Sequence, residues 1–273
     1  MMGAFLIKLL LMKNFAALLF IIFSMVSCKK QPKIEIVENK NNTRVDWKPT
    51  QNYYIKHLGE AQDWVAKLDS LPMTGEATET TFANLRAAFK KAEPFASYLN
   101  PEIGHRTNGP ALPIVTDDTQ RVLLPIGLQK LEESIHEGEE TEARYREEIA
   151  ILKGLLGNLQ KNVNTREVTS QRFFIATHQQ LMRIISLSIV GFDTPVSLLG
   201  LGETVVSLES LEKVYELSIQ GLIRQKNPGL DSIFRKNIKS AVGFIQSDPE
   251  FESFDRFTFI RDYMNPITRN WVE

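Results

Sequence analysis

The segment NGPALPIVTDDTQRVLLPIGLQKLEESIHEGEE, Asn108 to Glu140, holds the densest set of side chains able to do chemistry. Glu133 and His136 have Glu-x-x-His spacing. One helical turn then brings a carboxylate and an imidazole toward one ion, as in the carboxylate metal sites of helical bundles. Gln129, Glu132, Glu133 and His136 fall within reach of one another at three- and four-residue spacing, opposite an apolar stripe of Leu128, Leu131 and Ile135. The same pattern also fits a solvated face with acidic residues near a helix start, which the helix dipole favours. Gly127, just before this helix, suits an unhindered contact with a neighbouring backbone. Upstream, His105 shares the stretch NPEIGHRTNGP with Arg106, Asn108 and Gly109. That set fits an anion or ligand site, or a turn-rich connection carrying a solvated imidazole. His178 lies on an apolar helix and reads as a partly buried, hydrogen-bonded histidine, whereas His57 beside Lys56 reads as surface.

Other chemistries lack their residues. There is no Gly-x-Ser-x-Gly, no phosphate-cradling glycine loop and no Cys-x-x-Cys-His haem attachment motif. The expectation is therefore no catalytic residue and no covalently bound cofactor. The only cysteine is Cys28, so no disulfide forms within the chain. The 32 basic and 33 acidic residues leave a net charge of -1, which gives no reason to expect a nucleic-acid partner.

The elements that must position these residues read as helices. Tyr54, Leu58, Ala61, Val65 and Leu68 are spaced by four and three, and Phe82, Leu85, Phe89, Ala92 and Ala96 repeat the pattern. Tyr145 to Val163, Phe173 to Ser188, Leu208 to Leu222 and Leu230 to Ile245 carry further stripes, and Phe254, Phe257, Ile260 and Met264 a short last one. Each stripe needs a neighbour to cover it, so the fold class is an all-α bundle of about seven or eight helices. Thr194-Pro195 and Asp248-Pro249 look like helix starts, and Asn227-Pro228-Gly229 like a turn. Asn100 to Leu124 reads as one long irregular loop, a length that is often functional.

The first residues have a different character. Lys13, an apolar run from Phe15 to Val26, Ser27 and Cys28 have the three zones of an export signal. The cysteine placement resembles the lipobox of bacterial lipoproteins, in which that residue is lipidated, although Met25 stands where leucine is usual. The expected organisation is a signal over residues 1–28, a polar tether over 29–50 and a helical domain over 51–273, anchored by lipid on the periplasmic side of the envelope.

Four separated segments carry a family resemblance: NPEIGHRTNGPALP, LPIGLQKLEE, RIISLSIVGFDTPVSLLGLGE and FDRFTFIRDYMNPI. Together they resemble the helical N-terminal region of cytochrome c peroxidase-like lipoproteins of Bacteroidetes-type bacteria, over roughly Phe82 to Pro266. In that family such a region precedes a di-haem peroxidase module, which this chain lacks. The resemblance implies a role beside a haem peroxidase or an iron-uptake partner rather than peroxidase activity here. More distantly, the chain is similar to imelysin-like envelope proteins, whose signature is Gly-x-His-x-x-Glu. Gly127 and Glu132 match it, with Gln129 in place of the histidine. An amide is a poor transition-metal ligand. The resemblance therefore leaves Glu132, with Glu93 or His105, as candidates for iron or another divalent metal, and it marks Asn108, Gly109, Asp193 and Pro195 as motif positions.

Overall fold

The computed structural model describes residues 45–115 and 121–273. Cys28, the export signal and most of the tether lie outside the described residues. The architecture is all-α. Helix α1 (Lys48–Leu68) begins inside the stretch read as tether. It is followed by α2 (Glu76–Leu99) and α3 (Pro101–Asn108), a two-stranded ribbon of β1 (Ile114–Val115) and β2 (Val122–Leu123), and α4 (Leu128–Glu137). Then come α5 (Glu142–Thr165), α6 (Ser170–Arg183), α7 (Gly200–Ser218), α8 (Gln220–Lys226), α9 (Pro228–Ser247), α10 (Arg256–Thr258) and α11 (Asn265–Val272). The ribbon is antiparallel, with Ile114 opposite Leu123 and Val115 opposite Val122.

The expected stripes bury as a set. Tyr54, Leu58, Ala61, Val65 and Leu68 of α1 meet Phe82, Leu85, Phe89 and Ala96 of α2 in one core. Helix α2 is central and packs against α1, α3, α4, α5, α6 and α7. The helix keeps a solvated strip at Glu79, Thr80 and Asn84, and its enclosed faces take polar residues inside together with the apolar ones. Helix α7 leads to a second group, in which α9 packs against α7, α8 and α11.

Several local expectations are corrected. Asn100 to Leu124 is not one long loop: Asn100 caps α3, its side chain accepting from the Ile103 N–H at 3.3 Å, and Pro101 fits the first turn. Asp248-Pro249 does not start a helix. Asp248 ends α9, and the next start is Asp255, whose side chain accepts from the Thr258 N–H. Thr194-Pro195 opens a turn, and α7 begins only at Gly200. The last stripe breaks because residues Phe259–Met264 are π-helical, which shifts the side-chain register. Phe257 is left 69% exposed, while Phe259 is fully buried in its place.

Candidate functional site

Three charged residues of α2, Arg86, Lys90 and Glu93, share one face at i, i+4 and i+7, and all are buried. The Arg86 guanidinium forks onto Glu203 of α7, with Nη2 to Oε2 at 3.0 Å and Nε to Oε1 as the second bond. Its Nη1 donates to Asn108 Oδ1 at 3.3 Å. Lys90 Nζ donates to Asp193 Oδ2 at 2.6 Å and to Glu93 Oε2 at 3.2 Å, and lies 3.7 Å from Glu203. Glu93 accepts from Asn108 Nδ2 at 3.1 Å and from Gln180 Nε2 at 2.9 Å. Ser188 Oγ donates to Asp193 at 3.2 Å. Ser188 is placed by a π-helical turn, Ile184–Ser188, that widens the end of α6. Its carbonyl lies so close to Gly200 that a Cβ there would sit 2.0 Å from the oxygen.

The electrostatics hold Arg86, Lys90 and Glu93 in their charged forms. Burial alone would drive Lys90 toward neutrality, but the charges of Asp193, Glu93 and Glu203 outweigh it and raise its pKa. Arg86 behaves likewise through Glu203. Burial pushes the Glu93 carboxyl up, yet Lys90, then Arg183 and the hydrogen bonds from Gln180 and Asn108, bring it down to about 2. Two buried cations, with Arg183 acting from beside them, thus face four buried carboxyl side chains, Glu93, Glu132, Asp193 and Glu203. Glu132 Oε2, Asp193 Oδ1 and Thr194 Oγ1 have no hydrogen-bond partner among the described residues.

Glu132 and Gln129 overturn the solvated-face expectation for α4, being 0% and 3% exposed. Glu132 Oε1 accepts from the Ser197 N–H at 2.7 Å, the Ser197 hydroxyl at 2.6 Å and the Val196 N–H at 3.3 Å. It caps the turn before α7 from inside, next to Leu198, which has a left-handed backbone at φ 53°. Gln129 Nε2 donates to the Phe192 carbonyl at 2.8 Å, tying α4 to the same segment. Gly127 has φ 98°, and a Cβ there would sit 2.3 Å from the Arg106 carbonyl oxygen. The close backbone contact expected of it is present, and it docks α4 against the end of α3.

The structure therefore gathers Glu93, Asn108, Gln129, Glu132 and Asp193 around α2 and leaves other candidates out. His105 is exposed on α3 rather than in a loop, and Pro195 is exposed. Gly109 is buried against His105. Glu133 pairs with Lys130 at 3.3 Å, while His136 stands edge-on to Phe82 with ring centroids 6.2 Å apart. Among the described residues, no group of three His, Cys, Asp or Glu side chains is placed to hold a metal ion. A transition-metal cage does not fit, because Lys90 and Arg86 already occupy the centre of the cluster. His57 is buried rather than surface, 2.6 Å from Glu60. Sequence reading missed Arg86, Lys90, Gln180, Ser188 and Glu203. The legible signal was the i, i+4, i+7 run of charge flanking the α2 apolar stripe.

A surface groove elsewhere is chemically opposite to this buried cluster. A groove of about 570 Å³ runs between α6 and α11, floored by Tyr215, Ile219 and Phe234 and walled by Phe174, Ile175 and Trp271. Trp271 is its hub, with ring centroids 5.2 Å from Phe234, 5.9 Å from Phe174 and 6.3 Å from Tyr215. The floor rings are buried, whereas Phe174 and Ile175 are 39% and 38% exposed. His178 lines this groove rather than the charged cluster.

No protein-family model matches the chain, and no curated protein matches it.

Proposed function

We propose that this chain is a non-catalytic binding module, lipid-anchored through Cys28 on the periplasmic side of the envelope, that serves a haem peroxidase or an iron-handling system. The observation that carries the reading is the division of labour between the buried charged cluster and the open groove. The charged cluster is occupied by its own side chains, and the aromatic groove stands open. An apolar, partly preformed cleft of this size with a few polar groups at its rim is the usual form of a ligand site. The motif segments that resemble peroxidase-like lipoproteins support the choice of partner, and the loose lipobox supports the anchor. The test uses the neutral dye Nile red with the purified chain. Saturable emission enhancement is expected, at least about tenfold weaker in Phe174→Ser. Equal binding by both proteins would sink the groove, and peroxide turnover by the chain alone would sink the non-catalytic role.

A second reading rests on the unpartnered Oε2 of Glu132 and on the excess of carboxyl groups over cations around Lys90. A buried carboxylate oxygen without a donor favours a hard cation held by one or two carboxylates and water. Magnesium and calcium ions are the probes for calorimetric titration. Heat of binding in the parent that vanishes in Glu132→Gln supports this reading, and identical titrations end it.

A further inference from the structure

The groove between α6 and α11 has a charge pattern that narrows its ligand, and this step rests on the binding-module reading above. Among the described residues, the titratable side chains lining it besides Tyr215 are His178 and Glu273, and no Lys or Arg lines it. Behind the floor, the Tyr215 hydroxyl donates to Asp231 at 2.9 Å, and Asp231 accepts from Arg224 at 3.2 Å, so that arginine is committed to a carboxylate. Asn270 Oδ1 accepts from Asn237 Nδ2 at 2.8 Å, so this side chain brings only neutral amide N–H donors to the rim. The rim therefore offers an anionic ligand no built cationic partner, and it offers a cation the Glu273 carboxylate and the faces of aromatic rings.

Size points the same way. At roughly 30 Å³ per water-sized group, the groove takes on the order of twenty non-hydrogen atoms, the bulk of a medium-length alkyl chain with its head. Buried aromatic rings and exposed Phe174, Ile175 and Val272 give such a chain an apolar surface along its whole length. We infer that the groove binds single-chain amphiphiles with a neutral or cationic head, the chain against Trp271 and the head toward Glu273, and discriminates against anionic heads.

The experiment uses the full chain labelled with fluorotryptophan. Its fluorine spectrum carries one resonance for each of the three tryptophans, and Trp271→Phe identifies the relevant one. Decanol, decyltrimethylammonium and decyl sulfate are titrated below their micellar concentrations. The expected result is a saturable shift of the Trp271 resonance by decanol and decyltrimethylammonium. The cation should bind about threefold or more tighter than decyl sulfate, and Glu273→Gln should narrow the difference. If decyl sulfate binds as tightly as the cation or tighter, the inference falls and the groove survives as an apolar site. If no probe moves the resonance, the groove reading falls with it.

Discussion

The charged cluster around α2 and the aromatic groove beside α11 share two helices and use them in opposite ways. Helix α6 turns Gln180 toward Glu93 and its other side, Phe174 and His178, toward the groove. Helix α7 gives Glu203 to the cluster near its start and Tyr215 to the groove near its end. In the cluster, polar side chains are buried and spend most of their hydrogen-bonding capacity on one another. In the groove, apolar side chains are left where an incoming molecule can cover them. The residues that draw the eye as chemistry are thus largely devoted to holding the fold, and the residues that read as ordinary core form the accessible surface. Polarity alone is a poor guide to a site, because a polar group buys specificity of packing as readily as it binds a ligand.

The sharpest way to break the contrast is to remove one partner from inside. Arg86→Met leaves Glu203 buried without its fork, and losing one member of a buried pair costs about 3–5 kcal/mol. For a domain of this size that lowers the thermal midpoint by roughly 10 °C. The double change Arg86→Met with Glu203→Leu should recover a large part of the loss, since an apolar pair of similar volume is often neutral where an ion pair stood. Circular dichroism melts of the three proteins decide it. A single variant as stable as the parent would show that the pair carries no structural weight.

Acid should dissolve the cluster before it touches the groove. Glu93 is held down to about 2 in the folded chain, below its ordinary value of 4.5. Its contribution is therefore fully present above about pH 4.5 and is lost as pH falls through about 2. The shift is worth on the order of 3 kcal/mol over that window. Urea midpoints measured at intervals from pH 7 to pH 2 should fall for the parent along this limb. They should fall less for Glu93→Gln, which starts less stable at pH 7 and converges on the parent at low pH. A constant gap between the two proteins across the window would place the acid sensitivity elsewhere.

How much of this was legible in the sequence follows from what periodicity encodes. The stripes from Tyr54 to Leu68 and from Tyr145 to Val163 bury one face each and leave the other to solvent, so spacing alone located their cores. Helix α4 failed the same test. Its stripe of Leu128, Leu131 and Ile135 is buried, but so are Gln129 and Glu132 on the face read as solvated. That face meets the turn before α7, a contact some sixty residues away along the chain that no local pattern records. Arg86 and Lys90 were overlooked for the same reason, since Glu203 and Asp193 lie more than a hundred residues distant. The motif positions divide: Asn108 and Asp193 reach the charged cluster, Glu132 caps the turn before α7, Gly127 docks α4 against α3, and Pro195 stays exposed. The groove was invisible because Phe174 and Trp271 are apolar residues whose only distinction is incomplete cover.

The smallest expected effect on stability is the most informative about the groove. Phe174 is 39% exposed and touches Trp271 across 5.9 Å, whereas Trp271 itself is 7% exposed within a ring of aromatic neighbours. Phe174→Ser removes wall rather than floor, so its cost should stay at about 1–2 kcal/mol, for a ring already partly solvated that contacts Trp271 and Phe173. Its Nile red affinity should nonetheless drop at least about tenfold. Stability and binding then separate, which is the behaviour of a surface built to receive something. In the cluster the two would fall together, because there the ligands of each charge are the protein's own side chains. If Phe174→Ser instead melts far below the parent, Phe174 belongs to the core, and the groove is a seam between packed helices.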